Sequence, residues 1–291
     1  MSWILFTLLA AFSQSWRNAF QSKLSAELNV VGVTLARFIW ASPLALLYLV
    51  FLYVWQPAEL PLVTSDTLFY VFGAAIMQIV ATALMVVLFK QKNFAIGAGL
   101  AKSEASVAAL IGVLFFGTSL PVLGWIGVLI GGIAVLILSC PQGFRSLSKS
   151  TALLGLACSS AFALTSLWAR EASLSLSVPF PHRAAWVLFS VIFLQTLILT
   201  SYMLLKDRAT LTAMFRKPKL VVMTSVASFV GSLGWFSAMS LQTVPYVKTL
   251  GQVEVFFTML ISFFWLKESV KRKDIMALIM IALAATLVMW Q

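Results

Sequence analysis

Two short stretches place ionisable side chains where a bilayer disfavours them. Lys102 and Glu104 lie in GLAKSEASVAALIG (99–112), and Lys248 and Glu254 lie in YVKTLGQVEVFFTMLISFF (246–264), with Gln252 just before the glutamate. A charge at the centre of a membrane helix costs about 2.5–3.5 kcal/mol on insertion scales, so such residues face a protein interior or a water-filled pathway. Arg37 and Arg183 add two more cations, each followed three residues later by a tryptophan, Trp40 and Trp186. Cations of this kind can hold a carboxylate or phosphate, while a buried glutamate can hold an ammonium or a coupling proton. Glu104 and Glu254 are the proton-coupling candidates. Trp40 and Trp186, one turn from an arginine, can cover a cation face or an apolar part of a solute.

Residues i and i+2 of a helix point about 200° apart, so Lys102 cannot neutralise Glu104 on its own helix. Each needs a partner elsewhere. One reading is structural: ion pairs between helices, Lys102 with Glu254 and Glu104 with Lys248 or an arginine. The other is a solute site, and the two combine if the pairs exchange partners when solute enters. Four cations (Arg37, Arg183, Lys102 and Lys248) face two carboxylates in this set. An occluded site of that composition favours an anionic or zwitterionic solute over a lipophilic cation.

Polar residues at helical spacing extend the candidate site. Gln14, Arg17, Asn18 and Gln21 recur at i, i+3, i+4 and i+7, forming one polar stripe on an apolar rod. Gln78 and Thr82 share a face further along, as do Ser225, Ser228, Ser232 and Trp235. Serine stripes also serve helix packing, as do the small residues of the GxxxG at Gly127 and Gly131.

The elements that carry these residues follow from composition. The chain has 291 residues, 61% hydrophobic and 10% charged, with mean hydropathy +1.00. Soluble domains carry about 25% charged residues. Ten runs approach the length of about 20 apolar residues that spans a bilayer: 3–22, 29–54, 67–89, 94–116, 121–139, 151–170, 183–205, 219–240, 245–266 and 274–290. The runs are continuous rather than alternating, which excludes a membrane β-barrel. The expected fold class is an all-α integral membrane protein with ten transmembrane helices.

The net charge of +11 does not point to nucleic acid, because the basic residues are distributed by loop. Fourteen of the 20 lysines and arginines fall at Lys23, 90–92, 145–149, 206–219 and 267–273, in or beside every second loop. The intervening segments 56–66, 116–121 and 241–245 have none. The positive-inside rule makes the first set cytoplasmic, which with ten spans puts both termini outside. The first run lacks a basic n-region, so it is expected to be a span rather than a signal peptide.

The halves 1–145 and 146–291 carry matching signals in the same order. Arg17 and Arg170 end the first and sixth runs, RFIW at 37–40 answers RAAW at 183–186, and Lys102 and Glu104 answer Lys248 and Glu254. A five-span unit has an odd number of crossings, so its second copy is inverted, with a site near midplane between the copies.

These motifs resemble the drug/metabolite transporter superfamily, in particular its ten-helix EamA-type members. The likeness is carried by WRNAF at 16–20, ARF at 36–38 and LKESVKRKDIMALIMIALAATLVMW at 266–290, whose Glu268 matches a leucine-any-glutamate corner. Thr118 replaces the acid in the first half. The resemblance implies a secondary transporter in the inner or plasma membrane, expected to be an exporter and working by alternating access, with a cavity formed mainly by helices one to four and six to nine. An amino acid or related carboxylated metabolite is the first expected solute. A flippase for a lipid-linked phosphate is the alternative. No nucleophile, metal or cofactor motif is evident, and the chain is expected not to be an enzyme. His182 in VPFPHR reads as a loop residue. The expected partners are the bilayer, a small polar or charged solute, and protons as a coupling ion.

Overall fold

A computed structural model describes residues 2–90, 103–139, 148–265 and 272–289. Among them there are helices and no strands. In chain order they are α1 (Ser2–Ser25), α2 (Val30–Phe38), α3 (Ala41–Trp55), α4 (Ser65–Lys90), α5 (Glu104–Phe115), α6 (Val122–Ser139) and α7 (Lys149–Leu174). They continue as α8 (His182–Lys206), α9 (Arg208–Phe215), α10 (Pro218–Leu241), α11 (Val244–Gly251), α12 (Glu254–Trp265) and α13 (Arg272–Met289). Five stretches are long and apolar enough to cross a membrane: Val30–Trp55, Ser65–Lys90, Lys149–Leu174, His182–Lys206 and Pro218–Leu241. Shorter apolar helices cover Glu104–Phe115, Val122–Val135 and Ile275–Val288. The chain is thus an all-α protein with the helices of a multi-pass membrane protein.

Local chemistry sets the helix ends. Asn29 caps α2 by accepting from the Gly32 amide at 2.9 Å, and Ser148 caps α7 by accepting from Thr151 N at 3.1 Å. Pro218 opens α10, where its missing N–H is no loss. Pro43 has the opposite effect. It cannot donate to Ile39 and crowds that carbonyl, and the 29–54 run is accordingly split at residues 39–40 into α2 and α3. The 245–266 run is also two helices, α11 and α12, rather than one. Part of the 94–116 run lies outside the described residues.

The main packing partners are α1 with α10, α4 with α7, α6 with α13, α3 with α8, and α5 with α11. Every one of these pairs joins an element of 1–145 to an element of 146–291. The α1–α10 contact is close because α10 presents glycine: a Cβ on Gly234 would stand 2.6 Å from the Phe6 carbonyl oxygen and 2.9 Å from Ala10 Cβ. Small residues permit such approach where apolar burial gives helices little reason to associate. Near the 206–217 segment, Asn29 donates to Asp207 Oδ2 at 2.5 Å and to Thr210 Oγ1 at 2.9 Å, tying α2 to α9.

Candidate functional site

The local sequence around Glu254 interrupts its own helix. After Leu250 the backbone tightens into i→i+3 bonds, Gln252 N to Thr249 O at 3.2 Å, Val253 N to Leu250 O at 3.1 Å and Val255 N to Gln252 O at 3.0 Å. The Trp235 ring is pressed against Gly251 so closely that a Cβ there would collide with it. Glu254 therefore opens α12, and Lys248 falls in the last turn of α11. Glu104 likewise opens α5. Helix N-termini favour carboxylates and C-termini favour cations through their unpaired N–H and C=O groups. All three charges thus sit at helix ends inside the bundle, where the sequence suggested mid-helix positions.

Glu254 is 1% exposed and is held by α1. Gln14 Nε2 donates to its Oε2 at 2.5 Å and Asn18 Nδ2 to its Oε1 at 2.8 Å. The orientation of both amides follows from neighbours that can only donate. Trp235 Nε1–H donates to Gln14 Oε1 at 2.8 Å, so the Gln14 NH₂ turns to Glu254. Arg17 Nη2 donates to Asn18 Oδ1 at 3.0 Å, so the Asn18 NH₂ does the same. Ser15 Oγ donates to the Glu254 backbone carbonyl at 3.1 Å.

Glu104 and Lys248 form the second part of the network. Lys248 Nζ lies 2.8 Å from Glu104 Oε1, with the two side chains 10% and 13% exposed, and Ser166 Oγ donates to the same oxygen at 2.9 Å. The ammonium also lies 4.1 Å from the centroid of the Trp235 ring, within range of a cation–π contact. Glu104, Lys248, Trp235, Gln14 and Glu254 are therefore linked in one series across five helices. They border a small void between the helices, with room for about one water molecule in this conformation.

Two arginines lie buried nearby. Arg17 and Arg37 are 1% and 2% exposed. Arg37 Nη1 donates to Thr82 Oγ1 at 2.7 Å, and its guanidinium lies 5.2 Å from the Phe38 ring centroid. The charged residues that line the void itself are Lys248, Glu104 and Glu254, and neither arginine is among its lining.

The other residues singled out in the sequence lie apart from this network. Arg183 donates through Nε to Ser240 Oγ at 2.8 Å and through Nη2 to Ser240 O at 2.7 Å. Arg170 donates to the Met239 and Gln242 carbonyls, both at 2.6 Å. Both arginines therefore cap the C-terminus of α10, whose last carbonyls lack helical partners. Trp40 is 44% exposed. Trp186 donates to the Tyr53 hydroxyl at 2.9 Å, beside His182, whose Nε2 pairs with the Gln56 carbonyl at 2.8 Å. His182 is 1% exposed and opens α8, so it is not the loop residue its neighbouring prolines suggested. Gln78 accepts from Gln195 Nε2 at 2.7 Å, tying α4 to α8. Gln252, unlike these, lines the same void as Glu104, Lys248 and Glu254; it is 2% exposed and packs on Gly131 of the GxxxG, where a Cβ would collide with its amide. Lys102 lies outside the described residues. Ser166 gave no sequence signal of its own, because one serine in an apolar helix reads as packing.

No protein-family model matches the chain, and no curated protein matches it. A solved structure described as "Crystal structure of protein" is similar in fold, with a TM-score of 0.70 and 13% sequence identity over 98% of this chain and 98% of that one. At that identity the likeness speaks to the fold alone.

Proposed function

We propose that the chain is a secondary transporter whose solute site forms at the void between two inverted five-helix repeats (1–145 and 146–291), and that it moves a small anionic or zwitterionic metabolite such as an amino acid. The observation that carries this reading is the Glu104–Lys248 ion pair. It joins α5 of the first half to α11 of the second, at the edge of a cavity inside the bundle. Membrane transporters of charged solutes place such groups between repeats, at interrupted helices. The break between α11 and α12 fits that scheme.

The packing pairs support the ten-span, two-repeat arrangement. If the element five spans later is the counterpart, α1–α10 and α4–α7 exchange under a twofold axis. The pairs α3–α8, α5–α11 and α6–α13 each map onto themselves. The resemblance to EamA-type members of the drug/metabolite transporter superfamily supports the same topology. Both termini then lie outside the cell membrane, with 206–219 in the cytoplasm. The two buried arginines, Arg17 and Arg37, favour a solute with an anionic moiety. Burial of the Glu104–Lys248 pair and of Glu254 favours a soluble solute over a lipid-linked one, which needs a lateral opening.

The test is uptake into vesicles containing the purified protein, screened with labelled amino acids, organic acids, organic phosphates and a polyprenyl phosphate. Saturable uptake of a small carboxylate or amino acid is expected. Movement of the polyprenyl phosphate alone would replace this reading by lipid flipping.

A further inference from the structure

Burying a guanidinium is unfavourable unless its charge and its donors are met, because the lost hydration is worth several kcal/mol per ion. Arg17 and Arg37 break that rule together. Arg17 places one nitrogen on Asn18 and leaves Nε and Nη1 without a hydrogen-bond partner. Arg37 places Nη1 on Thr82 and leaves Nε without one. The helices that carry them, α1 and α2, pack against each other and both against α4, which carries Thr82. Among the described residues neither guanidinium forms an ion pair with a carboxylate.

Gln21 adds a third incomplete group. It lies one turn after Arg17 on the same face of α1, is fully buried, and neither its Nε2 nor its Oε1 has a partner. By contrast, Arg170 and Arg183, the counterparts in the second half, are bonded to carbonyls of α10. The first half thus holds unspent donors where the second half has spent them on structure. Unpartnered buried donors, two like charges and a surplus positive charge are together what an oxyanion would resolve, since planar guanidinium forks match carboxylate and phosphate oxygens.

We propose, resting on the transport reading, that Arg17, Gln21 and Arg37 form an oxyanion subsite that binds the carboxylate or phosphate of the transported solute, apart from the Glu104–Lys248 pair. Arg17 also orients Asn18 toward Glu254, so occupancy of the subsite is coupled to the hydrogen bonding of Glu254 through two contacts.

The experiment is a thermal-unfolding titration of the full chain in neutral detergent, at constant ionic strength, with succinate, inorganic phosphate and geranyl phosphate as probes. At least one probe is expected to raise the melting temperature saturably. Arg37→Gln is expected to weaken that probe by about tenfold or more, the size of one lost charge-assisted contact, and Gln21→Leu by about threefold or more. Arg208→Gln, at an exposed position whose side chain donates to the Leu204 carbonyl, is expected to bind as wild type. Succinate alone identifies a carboxylate solute, while the two phosphate probes separate a free phosphate from a lipid-linked one. The proposal is overturned if no probe shifts the wild type, or if Gln21→Leu and Arg37→Gln both bind as wild type. Should Arg37→Gln fail to fold, Gln21→Leu decides, because its amide has no hydrogen bond to lose. Flux of the same probes into vesicles reports separately: binding without flux removes the transport reading and keeps the subsite, and flux with unchanged variant binding does the reverse.

Discussion

The ammonium of Lys248 lies 2.8 Å from Oε1 of Glu104, and the two residues belong to helices more than a hundred positions apart in the chain. Each comes from a helix end, Lys248 from the last turn of α11 and Glu104 from the first turn of α5, so local dipoles reinforce the pair. Ser166 and the Trp235 ring meet what the pair leaves over. The bundle thereby holds two opposite charges beside a cavity without leaving either isolated.

Removing one partner of this pair should harm the fold more than removing both. Glu104→Gln and Lys248→Met each leave a buried charge, which typically destabilises by about 3–5 kcal/mol. The double variant leaves none. Thermal unfolding in detergent should rank the two single variants below the double, and additive effects would show that the pair is not coupled.

Arg183 should behave as a structural residue. Its guanidinium spans Ser240 Oγ and Ser240 O at the end of α10, so Arg183→Ala should lower stability by about 1.5–3 kcal/mol, the worth of a charged hydrogen bond. Solute KM should stay near the wild-type value. A raised KM with unchanged melting temperature would return Arg183 to the solute site, as its symmetry with Arg37 first implied.

How far the sequence discloses the site differs from residue to residue. Gln14 and Asn18 are legible because amides one turn apart on an apolar rod need a buried partner, and Glu254 is that partner. Glu104 and Lys248 are legible as charges within apolar runs, and their pairing was one of the readings open from helical geometry alone. Arg183 and Arg37 look alike in sequence, and only tertiary contacts separate a carbonyl cap from a cation with unmet donors. Trp40 and Trp186 could not be told from lipid-facing or loop-facing rings by spacing. Trp235 stood out only as one member of a serine stripe, although its indole sets the direction of Gln14. The break before Glu254 was equally hidden, since a single glycine in an apolar run does not announce a helix end.

The tie between α2 and α9 should depend on pH in a defined sense. Hydrogen bonds from Thr210, then Asn29, hold the Asp207 carboxyl below its usual range. A lowered native pKa contributes stability above the unfolded value, near pH 3.9, and loses it as pH falls through the native value. The stability difference between wild type and Asp207→Ala should be full above about pH 4 and vanish in stronger acid. Thermal unfolding against pH reads this directly, and a difference that instead fades between neutrality and about pH 5 would contradict it.

Orientation is open to chemistry from outside the cell. Thr212 is exposed on α9, in the basic 206–219 segment. Thr212→Cys should resist an impermeant thiol reagent in intact cells and react after permeabilisation. Ready labelling of intact cells would invert the proposed topology.

The most direct measurement is solute counterflow in vesicles containing either the wild type or the Glu104→Gln/Lys248→Met double variant. Wild-type vesicles should exchange a small carboxylated or zwitterionic solute, while the double variant, folded and inserted, should exchange it at least about tenfold more slowly, as expected for loss of one charge-assisted contact. Exchange by the double variant at the wild-type rate would contradict the account, leaving the Glu104–Lys248 pair as a tie between helices and nothing more.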